Sequence, residues 1–189
     1  IVHIAQRDYL NQLFPEFDRA GVDALMAQPD LAAWLTYARH YGQLPPGQSI
    51  VLLAWAAGAC YLMILDSAHQ PVLARSYHCN SDEHARATIT CELQRSLALL
   101  PADQPPHAIY YHAAGFNREQ LDAVSQATTL QCTPLPQDEA DVAFALGAAL
   151  AWLKQDTTAD FRADRLPPRS LVTAQRRSLF ALSGAVSLL

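Results

Sequence analysis

The chain has 189 residues, 51% of them apolar and 16% charged, with a net charge of −5. That balance excludes a disordered chain and a coiled coil, and it leaves room for one domain or two small layered subdomains. An acidic whole gives no footprint for nucleic acid, although five arginines (Arg162, Arg165, Arg169, Arg176 and Arg177) gather against Asp164 between Phe161 and Arg177.

In chain order, Ile1 to Ala5 reads as a short buried strand, and Arg7 to Ala20 as a helix in which Tyr9, Leu10, Leu13, Phe14 and Phe17 recur at helical spacing before Gly21 stops it. Val22 to Met26 is a candidate second strand. Asp30 to Tyr41 is a helix with Leu31, Trp34, Leu35 and Ala38 on one face, closed by Gly42. Gln43 to Gln48, with two prolines and a glycine, is a linker. Three strand-like runs follow, Ser49 to Ala56, Ala59 to Leu65 and Pro71 to His78, separated by Gly58 and by the Asp66 to Gln70 stretch; short turns of this kind make an antiparallel meander. Asp82 to Leu100 is a helix capped by Ser81, with Ile89, Leu93, Leu97 and Leu100 as its stripe and Pro101 as its stop. His107 to His112 is a fourth strand, Asn117 to Gln126 a helix capped by Asn117, and Leu130 to Leu135 a fifth strand. Asp138 to Leu153 is the last helix. It is apolar nearly all round, which predicts burial between layers.

From residue 49 the order is β-β-β-α-β-α-β-α. Three consecutive strands followed by alternating helix and strand belong to the α/β ribonuclease H-like fold, two copies of which build actin-like ATPases; ferredoxin-like and doubly wound folds do not start that way. Past the domain, Leu179 to Leu189 is an uncharged run of eleven residues placed directly after Arg176 and Arg177. A membrane span needs roughly 20 apolar residues, so the run reads as the first half of a transmembrane helix held from the cytoplasmic side by the arginines, or as a terminal core helix. Ile1 is not a methionine, and the region before Ala5 lacks signal-peptide character.

The chemistry is sparse. The only lysine is Lys154, so no GxxxxGK[ST] loop exists, and neither GxGxxG nor GxSxG occurs. Cys60, Cys79, Cys91 and Cys132 form no CxxC pair, and free thiols in a reducing compartment are expected. His78, Cys79, His84 and Cys91 lie close in sequence but without zinc spacing, so buried thiols and surface histidines are the expectation there too. Between Asp30 and Asp66 there is no acid, which leaves the first hairpin without a group to hold Mg²⁺ or orient water. Asp82 and Glu92 share a helix but stand about 15 Å apart along it, too far for one reacting centre.

Cys91 to Leu99 (CELQRSLAL), Ala114-Gly115 after the HAIYYH strand, and Val142 to Leu153 (VAFALGAALAWL) together resemble the actin-like, PilM-type proteins of type IV pilus assembly, above all MshI-like biogenesis proteins of the mannose-sensitive haemagglutinin (MSHA) pilus, with GspL of type II secretion as a relative. The resemblance implies residues 1–47 as the end of a first actin-like subdomain and 48–155 as a second, ribonuclease H-like one. Residues 156–178 are then a basic juxtamembrane linker and 179–189 the start of a membrane anchor, on a chain extending beyond both ends given. Where ATP-binding members carry Asp-x-Gly in the first hairpin, this chain reads Ala54-Trp55-Ala56-Ala57-Gly58-Ala59, and the second nucleotide loop keeps one glycine, Gly115. Gly58 and Gly115 are therefore read as remnants of nucleotide loops. No catalytic residue and no metal site are expected, no cofactor is expected to be retained, and Mg²⁺-ATP stays open as the competing reading. The implied role is a non-catalytic scaffold on the cytoplasmic face of the inner membrane. Its partners would be PilN- and PilO-like platform proteins and the assembly ATPase, a homodimer is allowed, and Phe161, Leu166, Pro167 and Pro168 are the candidate partner-binding residues.

Overall fold

A computed structural model describes residues 7–21, 29–56, 58–78, 82–102, 104–112, 116–135, 142–156 and 160. The elements are α1 (Arg7–Arg19), α2 (Asp30–Tyr41), β1 (Ile50–Ala56), β2 (Ala59–Leu65), β3 (Pro71–His78), α3 (Asp82–Leu97), β4 (Ala108–Tyr111), α4 (Arg118–Thr128), β5 (Gln131–Pro134) and α5 (Ala143–Leu153). The strands expected at 1–5 and 22–26 lie outside the described residues.

β1 and β2 are buried on both faces, which is why they read as unbroken apolar runs rather than as alternating patterns. Their residues divide by parity. Ile50, Leu52 and Ala54 of β1 and Ala59, Tyr61, Met63 and Leu65 of β2 join Trp34, Leu35, Tyr37 and Ala38 of α2 and Ala143 of α5 in one core. Val51 and Leu53 of β1 and Cys60, Leu62 and Ile64 of β2 join Ile89 and Leu93 of α3, Ile109 of β4 and Val124 of α4 in the other. The result is three layers, with α2 and α5 on one side of the sheet and α3 and α4 on the other.

At the β1–β2 turn Ala56 pairs with Ala59, and Gly58 takes the positive φ of +73° that a tight hairpin turn calls for. At the next turn the Asp66 carboxylate accepts from the backbone N–H groups of Ala68 and Gln70, closing it with a single side chain. β1, β2 and β3 are antiparallel, while β4 runs parallel to β1 and β5 parallel to β4, giving the sheet order β3-β2-β1-β4-β5. A meander continued by two right-order parallel strands with intervening helices is the ribonuclease H-like arrangement, the unit of the actin-like fold.

The helices differ from expectation in places: α4 runs on to Thr128, past the expected Gln126, and α3 and α5 depart further. α3 stops at Leu97, because Pro101 disfavours helical backbone at the residue before it; Leu99 N–H and Leu100 N–H turn back to the carbonyls of Ser96 and Leu97 in a tightened last turn. α5 is described from Ala143, and it is not buried all round. Its small residues Ala143, Gly147 and Ala151 are buried, whereas Val142, Trp152 and Leu153 are exposed. Gly147 is the reason the helix lies so close to α2: a Cβ there would stand 1.8 Å from the Ala33 carbonyl oxygen. α2 thus packs backbone to backbone on α5.

Candidate functional site

Parallel strands β1, β4 and β5 end at the same side of the sheet, and ligands of open α/β sheets sit in the crevice outside such carboxyl ends. Gly58, His112 and the end of β5 at Pro134 all lie at this edge. The His112 N–H donates to the Leu53 carbonyl at 2.8 Å and extends the β1–β4 ladder past its last strand residue, which buries the His112 side chain.

Aromatic side chains close the α3/α4 side of the edge. Phe116 meets Trp55 edge to face at 6.1 Å and 81°, and Tyr111 likewise at 6.1 Å and 84°. Each comes from a different segment: Trp55 from the end of β1, Tyr111 from the end of β4, and Phe116 from the approach to α4. The start of α4 is also closed. Asn117 Oδ1 accepts from the Gln120 N–H and Gln120 Oε1 accepts from the Asn117 N–H, each at 2.9 Å, so two of the N-terminal amide donors are taken up within the chain. A helix N-terminus offered to phosphate keeps those donors free.

Beside Phe116 a pocket of about 550 Å³ opens between α4 and β5, lined by Tyr111, Phe116, Leu121 and Cys132, with Arg118 and Asp122 at its rim. Burial pushes the Cys132 thiol up to about 11, helped by the Asp122 carboxylate. Burial and then the neighbouring Cys132 push the Tyr111 phenol upward as well. Both groups therefore stay protonated at neutral pH, and the pocket floor is uncharged. Arg118 and Asp122 approach only to 3.9 Å and are 94% and 64% exposed, a solvated pair that contributes little to stability.

None of the five strands carries an Asp or Glu. A carboxylate does reach the meander, but from a helix: Asp30, the first residue of α2, accepts from the Tyr61 hydroxyl at 2.7 Å. Desolvation, followed by that hydrogen bond, raises the Tyr61 pKa. Among the described residues, the strands of the edge thus bring no carboxylate of their own for a Mg²⁺ ion.

Of the residues singled out by sequence, Gly58 sits in the edge turn, where open space surrounds it. Gly115, Phe161, Leu166, Pro167 and Pro168 lie outside the described residues, as does nearly all of 156–189. Sequence reasoning missed the Trp55, Tyr111 and Phe116 cluster and the reach of Asp30; the available signal for the cluster was an aromatic residue near the end of β1 and of β4 and another before α4. Among the described residues no three His, Cys, Asp or Glu side chains gather as metal ligands, and no helix is long and apolar enough to cross a membrane.

No protein-family model matches the chain, and no curated protein matches it. Solved structures do. One, described as a PilM-PilN type IV pilus biogenesis complex, superimposes with a TM-score of 0.58 at 18% identity, covering 77% of this chain and 58% of that one. A Bacteroides thetaiotaomicron protein with an actin-like ATPase fold matches at a TM-score of 0.46 and 10% identity, over 63% of this chain and 43% of its own. The activator of 2-hydroxyisocaproyl-CoA dehydratase from Clostridium difficile, with bound ADPNP, matches at 0.43 and 9%, over 67% of this chain and 66% of its own. At 18% identity the first likeness is one of fold, and the chain spans 58% of the length of that pilus protein chain.

Proposed function

We propose that the chain is a non-catalytic docking scaffold of a type IV pilus assembly platform, of the MSHA-like kind, built on an actin-like subdomain that has lost its nucleotide chemistry. The carboxyl edge carries this reading: its strands bear no acid, two of the α4 N-terminal donors are taken by the Asn117–Gln120 capping box, and Trp55, Tyr111 and Phe116 gather as an aromatic surface on its α3/α4 side. A site arranged in this way favours protein surface over phosphate. The partners are PilN- and PilO-like platform proteins and the assembly ATPase. Phe161, Leu166, Pro167 and Pro168 supply docking contacts from the basic linker, since Phe and Leu bring buried area and the prolines lower the ordering cost. The arginines of that linker and the apolar run after them hold the domain at the cytoplasmic face of the inner membrane.

The competing reading is an ATP-binding actin-like ATPase of pilus assembly or of a GspL-like secretion system. Its support is the Gly58 turn, whose φ of +73° and open surroundings keep the backbone approachable. Titration of the full-length protein with labelled ATP and Mg²⁺ separates the two. The scaffold reading expects no saturable binding, and micromolar affinity with turnover overturns it. Membrane fractionation of the natural gene product tests the anchor, which a wholly soluble product would refute.

A further inference from the structure

Among the described residues the sheet has an unpaired edge at each side, and the two are built differently. β5 is four residues long and ends in Pro134, which has no N–H to offer, so it is poorly suited to pairing. β3 runs for eight residues from Pro71 to His78, and among the described residues no strand lies beyond it.

The direction of its free backbone groups follows from the register. The Ala56–Ala59 turn pair makes β2 residues 59, 61, 63 and 65 bond to β1, so Cys60, Leu62 and Ile64 bond to Tyr77, Arg75 and Leu73 of β3. The N–H and C=O groups of Ala74, Ser76 and His78 therefore point away from the sheet. The side chains of Ala74 and Ser76 are small and leave an incoming strand room to approach. Val72, at the ladder irregularity, is 50% exposed and offers it an apolar contact.

Arg75 sets what such a strand must carry. Its Nη1 donates to Glu92 of α3 at 2.9 Å, and Arg95 donates to the other oxygen of the same carboxylate at 2.7 Å. Two guanidinium groups share one acid, which leaves a net positive charge beside the edge. Arg75 is 36% exposed and Arg95 67%, against 21% for Glu92, so the excess charge faces outward. Toward a new strand Arg75 occupies a position between hydrogen-bonded pairs, where facing side chains come closest.

We propose that β3 is a docking strand for an extended segment of another protein that carries a carboxylate opposite Arg75. The segment adds to the sheet through the backbone of Ala74, Ser76 and His78, and its acid completes the Arg75–Glu92–Arg95 cluster. A second copy of this chain is the wrong occupant. Antiparallel self-pairing about the strand centre sets Arg75 against Arg75, and like charges directly opposite destabilise a strand pair. Occupancy of β3 does not depend on what the carboxyl edge binds.

The test uses the 189-residue chain and two fluorescein-labelled peptides, Thr-Val-Thr-Glu-Thr-Val-Thr and the same sequence with Lys in place of Glu, followed by anisotropy. The Glu peptide is expected to bind about tenfold more tightly than the Lys peptide, with the difference shrinking as salt is raised. It should also slow amide exchange at Ala74, Ser76 and His78. Arg75→Glu should reverse the preference between the peptides. Ser76→Pro, which removes an outward N–H but no bond to β2, should abolish binding, while its circular dichroism and thermal unfolding report that the sheet is intact. Arg75→Glu carries the test by itself if Ser76→Pro fails to fold. Equal binding of the two peptides, no saturable binding, protection at Gln131 to Pro134 instead, or concentration-dependent self-association that protects β3 would each overturn the assignment.

Discussion

Replacing Gly147 by alanine tests the α2–α5 contact, and the sign of the result is the informative quantity. In a helix with free space around it, glycine to alanine stabilises by about 1 kcal/mol through backbone entropy. Here the new Cβ would stand 1.8 Å from the Ala33 carbonyl oxygen, 2.6 Å from its carbonyl carbon and 3.3 Å from its Cα, so the atoms that must yield are backbone of a buried helix. Overpacking a site that can yield costs roughly 1–3 kcal/mol, and a site walled by main chain belongs at the upper end. The net expectation is a loss of about 2 kcal/mol, which for a domain of this size lowers Tm by roughly 4–8 °C. Urea unfolding should show a lower midpoint with an unchanged slope, since the surface exposed on unfolding is the same. Ala149→Gly, at an exposed position of the same helix, is the control; it should cost about 1 kcal/mol from propensity alone. A Gly147→Ala protein as stable as the parent, or more stable, would refute the backbone contact and with it the placement of α2 on α5.

Tyr61→Phe removes the donor to Asp30 and should cost about 1–2 kcal/mol at neutral pH, read by urea unfolding. The same hydroxyl governs alkaline behaviour. Because its folded pKa is raised, its contribution is fully present below the unfolded value of about 10 and is lost as pH rises above it. The parent should therefore lose stability above that pH, and Tyr61→Phe should flatten the fall. Asn117→Ala opens the α4 capping box and should cost about 0.5–2 kcal/mol, with amide exchange accelerating first at Gln120. Thiol labelling at pH 8 mapped by mass spectrometry should modify exposed Cys91 before Cys132, whose thiol is held protonated, and before buried Cys60; Cys132 reacting first would contradict the raised pKa of its half-buried thiol.

Much of the architecture was legible in one dimension. Local patterns place β1, β2 and β3 within a residue of their observed bounds, because a doubly buried strand is a short apolar run between turn residues and the turns at Gly58 and Asp66 are made by their own side chains or φ values. Asn117 as the α4 cap was legible for the same reason: a cap is chosen by atoms three residues away. From that order alone the ribonuclease H-like fold follows, and so does the lack of an acid in the hairpin.

What required the tertiary structure is whatever depends on two segments meeting. α5 has the composition of a helix buried all round, yet its contact runs along a stripe of small residues, since packing depends on how closely two backbones approach and composition does not encode that distance. The span from Asp30 to Asp66 looked empty of acids between its ends, but Asp30 reaches Tyr61 because α2 lies across β2. Trp55, Tyr111 and Phe116 stand as far as 61 positions apart and meet only because β4 inserts beside β1 in the sheet. Charge follows the same rule: the sequence displays Glu92 and Arg95 as an ordinary helical pair, and only the pairing of β3 with β2, under α3, brings in Arg75 as the second cation on that one carboxylate.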